Sequence, residues 1–387
     1  EEIRSALDLL QTELLGDFPF VDEADRANAL ALILLPFVRE VIEGPTPLHL
    51  FEKPSPGSGA SLLLEALGLI IRGAPPALMT EGSDEDEWRK RITSTLVTGP
   101  ELVCIDNLKR RLDSAALSAA LTAGMWTDRR LGKSENISVP IHCVWAATGN
   151  NPTVSSEIAR RVVPIRIDAK VERPWERKDF NHPKLLLWVR ENRPALIGAA
   201  LTLARSWVAA GRPEGSESIG SYERYSAVMG GILKVVGIEG FLKNRDRFYS
   251  RADREGAAWG VFVAAWWEQY HDERVGVSDL WALLDQNAPP VDLGKGQERS
   301  QKVRLGDALA SAADRHFKVE GGTVKLEDAG KKSRAAQYRL VFHEAVQGVP
   351  AAPTVDPESE CGECPESFPP SMDRESSNSY TRGKDSQ

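Results

Sequence analysis

Pro54-Ser55-Pro56-Gly57-Ser58-Gly59-Ala60-Ser61 follows the apolar stretch Leu48-His49-Leu50-Phe51 and precedes Leu62-Leu63-Leu64-Glu65-Ala66-Leu67. The order reads strand, glycine turn, helix, which is the setting of a phosphate-binding loop. Glycines there let backbone amides close on a phosphate, and the helix start adds partial positive charge. The residues that would wrap the phosphates are Pro56, Gly57, Ser58, Gly59, Ala60, Ser61 and Leu62. One position departs from the usual Gly-Lys-[Ser/Thr] ending: Ala60 removes the ammonium that would reach the β- and γ-phosphates. Losing one charge-assisted contact costs about 1.5–3 kcal/mol. The backbone amides and helix terminus remain, so weakened nucleotide binding with very slow hydrolysis is expected. Lys53, just before the loop, offers an ammonium from the strand side.

Around the loop the chain alternates strands and helices. The pattern predicts strands at 48–51, 77–79, 102–106, 141–148 and 163–167, with helices at 61–72, 84–97, 114–123 and 155–161. Five strands with helices between them read as a parallel, three-layer α/β sheet. Residues 1–15 and 22–43 are helical in pattern, and Gly44-Pro45 ends the second segment. Beyond about residue 170 helices are expected at 184–191, 195–210, 222–236, 238–244 and 254–270. In the last of these, Trp259, Phe262, Trp266 and Trp267 fall at helical spacing and read as core rather than as a base-stacking platform. Helices at 277–284 and 303–317 precede strands at 323–326 and 338–342, whose connection carries Lys331, Lys332 and Arg334. Two helices and a hairpin with a basic tip suggest a winged helix.

Further polar residues follow the loop in a telling order. Leu102-Val103-Cys104-Ile105-Asp106 is a buried-type strand delivering a carboxylate to its end, about 45 residues after the loop. There Asp106 and the hydroxyl of Ser61 are the candidate Mg²⁺ ligands; the bland reading is a surface Asp ending a core strand. Asn107 stands where many ATPases carry a general-base Glu, and an amide can orient a water but not take its proton. The next strand ends Thr148-Gly149-Asn150-Asn151-Pro152, so Asn150 could hold the attacking water, or the run could be a plain turn. Arg160 and Arg161 close a short helix before the fifth strand. Either could reach the γ-phosphate on a neighbouring subunit, or simply complement the helix dipole.

This order resembles the AAA+ ATPases over about residues 46 to 245. More closely, Pro56-Gly57-Ser58-Gly59, Glu87-Trp-Arg-Lys90, Ile105-Asp-Asn107, Asp113-Ser-Ala-Ala-Leu117, Ala147-Thr-Gly-Asn-Asn-Pro152, Ala159-Arg-Arg161, Arg173-Pro-Trp-Glu-Arg177 and Gly230-Gly-Ile-Leu233 are similar to replication helicase-type ATPases of phages, plasmids and integrated elements. The resemblance implies a three-layer P-loop core at 46–169 and a helical lid at 170–250. A helical segment at 1–45 precedes them, and a winged-helix-like DNA-binding domain at 251–345 follows. It implies ATP and Mg²⁺ as cofactors, single-stranded or forked DNA as partner, a hexameric homo-oligomeric ring, and a primase domain or subunit alongside. It also implies a hairpin at 126–137 that projects Arg129, Arg130 and Lys133 onto backbone phosphates; the bland reading is a solvated loop. The function so implied is a DNA-acting motor impaired at Ala60, the alternative a non-hydrolysing nucleotide- and DNA-binding subunit of a replication complex.

The 387 residues suffice for two or three domains, and a 42% hydrophobic, 27% charged composition is ordinary for a soluble protein. The tail from Pro350 holds eight acids against three bases, so only −3 of the net charge of −8 belongs to the rest. A nearly neutral body can still present basic patches to nucleic acid. Residues 346–387, rich in Pro, Ser and Glu, read as a disordered acidic tail in which Cys361 and Cys364 make half a zinc site at most. Cys104 and Cys143 read as reduced core thiols. The apolar run 30–38 is too short to span a bilayer, and no signal-peptide pattern precedes it. A cytoplasmic location, no membrane contact, and a fragment of a longer polypeptide are the expectations.

Overall fold

Apolar runs punctuated by glycine and proline form most of the strands β1 (Leu48–Lys53), β2 (Ala77–Met79), β3 (Leu102–Leu108), β4 (Met125–Arg129), β5 (Asn136–Pro140), β6 (Val144–Asn150) and β7 (Val162–Arg166), β4 and β5 being mixed, largely exposed segments. Five of them build a sheet in the order β2-β3-β6-β1-β7, every pairing parallel, while β4 and β5 make a separate antiparallel hairpin. The computed structural model describes residues 1–129, 135–285, 289–332 and 335–344. The expected acidic tail with Cys361 and Cys364 lies outside them, as do Arg130, Lys133 and Arg334.

The helices in chain order are α1 (Glu2–Leu7), α2 (Glu23–Val38), α3 (Ala60–Arg72), α4 (Glu85–Leu96), α5 (Ala115–Thr122), α6 (Ser156–Ala159), α7 (Leu185–Ala209), α8 (Glu223–Val235), α9 (Arg245–Ala252), α10 (Arg254–Tyr270), α11 (Val277–Trp281) and α12 (Glu298–Ser311). A π-helical turn, Asp8–Leu14, continues α1. Strand side chains alternate between faces, and the sheet buries both. Phe51, Cys104, Val144, Ala146, Val163 and Ile165 pack with α2, α3, α7 and α8 on one face. Leu48, Leu50, Val103, Ile105, Trp145 and Ala147 pack with α4 and α5 on the other. Three layers result.

The edge strand β7 contains Pro164, which an edge tolerates. Its carbonyl accepts from Asn28 Nδ2 (2.9 Å) and Asn244 Nδ2 (3.2 Å), and Asn244 also donates to Asp25 Oδ1 at 2.7 Å. This buried amide cluster explains one difference from the sequence pattern: 238–244 is not helical. Leu242 N donates to Asn28 Oδ1, Leu242 takes φ +62°, Gly240 takes φ +93°, and the helix begins only at Arg245. A second difference is Pro194, where two helices were expected and α7 runs through unbroken. Burial of Val189, Leu196, Ala199, Leu203 and Trp207 in one core outweighs the single lost N–H bond. A third is the last expected helix, which starts earlier, at Glu298, and stops at Ser311.

The segment after Ser311 pairs instead as β9 (His316–Val319) in a second, antiparallel sheet. Its other strands are β8 (Val275–Gly276), β10 (Gly322–Lys332) and β11 (Ala335–Glu344), and the order is β8-β11-β10-β9. Trp259, Phe262 and Trp266 of α10 are buried against Leu305, Leu309, Val324, Leu326 and Leu340, forming a core of their own. Trp267 is half-buried at its margin and stacks on Phe342. Cys104 and Cys143 are buried free thiols, each pushed up to about 12 by desolvation. No helix of the described residues is long and apolar enough to cross a membrane.

Candidate phosphate-binding site

The carboxyl ends of β1, β3 and β6 converge, the usual place for ligands in an open parallel sheet. Period-two alternation decides which side chains meet there. His49, Phe51 and Lys53 share one face of β1, as do Cys104 and Asp106 on β3, and Ala146, Thr148 and Asn150 on β6. That face is the one α3 covers. A cleft of about 590 Å³ opens at the strand ends, lined by Lys53, Pro56, Ser61, Asp106, Asn107, Leu108, Lys109 and Asn150.

Within it Asp106 Oδ1 accepts from two hydroxyls, Ser61 Oγ at 2.9 Å and Thr148 Oγ1 at 2.6 Å. Asn107 has left the strand conformation at φ +59°, and its N–H donates to Thr148 Oγ1 at 2.9 Å. The loop turns at Gly57 (φ +79°) and Gly59 (φ +102°), and Ser58 Oγ closes it by donating to Ser55 O at 2.9 Å. Gly59 is also the N-cap of α3, with no side chain satisfying the first amides of the helix. Those amides and the loop backbone suit an anion. Ser61 and Asp106 offer hard oxygens, a donor pair that fits Mg²⁺ when phosphate and water complete the shell. Among the described residues no cluster of three or more His, Cys, Asp or Glu could hold a metal unaided.

A second cavity, of about 350 Å³, lies on the other side of the glycine turn. Leu14, Phe18, Gly57, Gly59, Leu62 and Leu185 are among its walls, with Pro174, Phe180 and His182. Arg177 Nη2 donates to Asp17 O at 3.1 Å with its guanidinium over the Phe180 ring, and His182 stacks on Trp188 while its Nε2 lies 2.8 Å from Glu13 Oε2. The N-terminal segment and the stretch before α7 are thereby held against the loop. A mainly apolar slot beside the glycine turn suits a purine base. Sequence reading missed this slot because its walls come from three distant segments. Thr148 was also missed; its signal was a hydroxyl on the Ala146–Asn150 face of an otherwise apolar strand.

The remaining sequence-designated residues lie elsewhere. Arg160 is exposed and pairs with Glu157 at 2.8 Å. Arg161 is turned inward, only 9% exposed, with Nη1 on the Glu157 carboxylate and carbonyl. Neither lines the cleft of its own chain. Arg129 ends β4, opposite Asn136, at the far end of the hairpin. Lys331 and Lys332 sit at the exposed end of the β10–β11 ribbon, opposite Ala336 and Ala335.

No protein-family profile matches the chain, and no curated protein does. Among solved structures, the C-terminal region of NrS-1 (305–718, apo, A form) is similar at 12% identity and a TM-score of 0.41, with 88% of this chain and 75% of that chain covered. A ligand-bound JCV helicase is similar at 14% identity and a TM-score of 0.23, covering 65% of this chain and 66% of that one. Likeness at that level is weak, and the three-layer sheet and the convergent cleft stand on the chain's own geometry.

Proposed function

We propose that the chain is a nucleotide-binding AAA+-type module that acts on DNA as a replication motor of a mobile element. The observation that carries this reading is the Ser61–Asp106–Thr148 hydrogen-bonded set at the strand ends, under a loop whose two left-handed glycines open it to phosphate. In this reading ATP would lie across the glycine turn, its base in the apolar slot and its phosphates over the start of α3. Ser61 and Asp106 would hold Mg²⁺, which when bound neutralises charge shared by the β- and γ-phosphate oxygens. Thr148 fixes the Asp106 carboxylate, and Asn150 would orient the attacking water. Arg160, exposed on α6, is the residue suited to reach a neighbouring subunit's nucleotide; Arg161 would brace α6 through Glu157. Residues 170–250 would act as a lid and 251–345 as a winged helix, with Arg129, Lys331 and Lys332 gripping phosphates.

Ala60 and Asn107 favour a second reading, a non-hydrolysing nucleotide- and DNA-binding subunit, since the phosphate-reaching lysine is absent from its usual place and a base is absent from the Asn107 position. Titration with labelled ATP and Mg²⁺, followed by hydrolysis assays with and without single-stranded DNA, separates the two when applied to this chain and to Ala60→Lys. Saturable binding in both, with DNA-stimulated turnover rising in Ala60→Lys, supports the motor. Binding without DNA-stimulated turnover in Ala60→Lys leaves the second reading. No saturable binding in either sinks both.

A further inference from the structure

Lys53 is the last residue of β1 and is only 9% exposed, and its side chain makes no hydrogen bond or ion pair among the described residues. Its stem is buried while its ammonium reaches the open cleft, so the charge is available to a ligand there. Its surroundings indicate that ligand. Lys53 continues the face of β1 that Phe51 presents to α3, and it lines the same cleft as Ser61, Asp106 and Asn150. Asn150 is its register partner on β6, and the Lys53 carbonyl accepts from Asn151 N at 2.8 Å, so the strand end is held in place. Ala60, where the loop's usual lysine would stand, is buried at the start of α3 against the same core as Phe51. The loop leaves the sheet at Lys53 and enters the helix at Ala60, so a phosphate cradled by it lies between the two positions.

We infer that Lys53 supplies from the strand side the ammonium that Ala60 lacks, pairing with the β- or γ-phosphate of a bound nucleoside triphosphate. This rests on the nucleotide reading of the cleft. A compact, flexible-stemmed point charge suits the role, because it need not enter along the direction that a helix-borne lysine uses. The assignment separates affinity from turnover: the charge required to hold the triphosphate is present, although its position is altered.

Binding of Mg²⁺-ATP to the full chain, its Lys53→Met variant and the Lys53→Met/Ala60→Lys double variant tests this, with the nucleotide-free thermal midpoint of each. Methionine keeps the apolar stem and removes the charge. Lys53→Met should bind ATP about 10- to 100-fold more weakly than the parent. Its nucleotide-free midpoint should be unchanged, since methionine keeps the buried stem, and the double variant should regain affinity. Unchanged ATP affinity in Lys53→Met overturns the assignment alone. So does a lowered midpoint with no rescue in the double variant, which marks a structural lysine. No saturable ATP binding to the parent overturns the nucleotide reading and the assignment together.

Discussion

At Gly59 the backbone takes φ +102°, and a Cβ there would sit 3.1 Å from the Phe18 ring. Gly59→Ala is therefore strained twice, by conformation and by contact, and should destabilise the fold by about 1–3 kcal/mol; a urea midpoint measures it. Thr148→Val keeps the shape of the strand but withdraws one of the two hydroxyls on Asp106 and the acceptor of Asn107 N–H. It should cost about 1–3 kcal/mol and weaken Mg²⁺-dependent ATP binding more than metal-free binding, as titration with and without Mg²⁺ would reveal. Two buried groups make opposing contributions to pH dependence. Burial holds His49, whose Nε2 lies 2.9 Å from the Tyr225 hydroxyl, neutral down to about 4. Between pH 4 and 6.5 only the unfolded chain takes up that proton, so acidification destabilises, by up to about 3 kcal/mol. Burial pushes Asp25 up to about 7. Its folded carboxyl keeps a proton that the unfolded chain releases above about 4, so rising pH destabilises until about 7. The two slopes offset each other in the native chain; Asp25→Asn should expose the acid-labile slope of His49 in urea titrations from pH 7 to 4.

At the scale of elements, the position of the glycine loop depends on how α3 is held at its far end. Arg193 of α7 donates through Nε to Leu69 O and Ile70 O and through Nη2 to Ile71 O, all at 3.0 Å, while Gly73 closes the helix at φ +76°. Leu69 O also accepts from the C-cap Gly73 N at 2.9 Å, while Ile70 and Ile71 lie in the last turn, where helical donors run out, and a cation there also complements the dipole. Arg193→Ala should cost about 2–4 kcal/mol by urea unfolding, and it should weaken ATP binding without touching any residue of the cleft. The amide cluster around Pro164 does comparable work for α2, α9 and the edge strand β7. Both devices join segments far apart in the chain, and both use polar groups whose partners no local pattern reveals.

For the whole molecule, the proposed motor makes demands that single-chain geometry does not meet. Arg160 lies outside its own chain's cleft, so ATP hydrolysis would require a second subunit. In an Ala60→Lys background, Arg160→Ala should lower turnover by on the order of 10³ with little change in ATP affinity; steady-state hydrolysis and equilibrium titration distinguish the two effects. The expected hexamer would be visible by negative-stain imaging with ATP and Mg²⁺. Lys331 and Lys332 lie at the end of an exposed ribbon on a separate core. If they contact backbone phosphates, replacing both with alanine should weaken DNA binding alike across sequences and reduce the salt slope by about 2.

The sequence by itself determined the strand–loop–helix around Gly57 and Gly59, the parallel three-layer order and the carboxylate near the end of β3. Each of these is written in local periodicity, glycine placement and burial, which act over a few residues. It also placed Trp259 and Trp266 of α10 in a core, since helical spacing alone orients them; Trp267 lies at its margin. Only the tertiary structure decided which ends converge. It set Thr148 beside Asp106, brought Lys53 to the same cleft, turned Arg161 inward, broke the helical pattern at 238–244 and assembled an apolar slot from three segments. Those outcomes follow from long-range hydrogen bonds and packing between faces. A sequence specifies such faces one element at a time, but it does not say which faces meet.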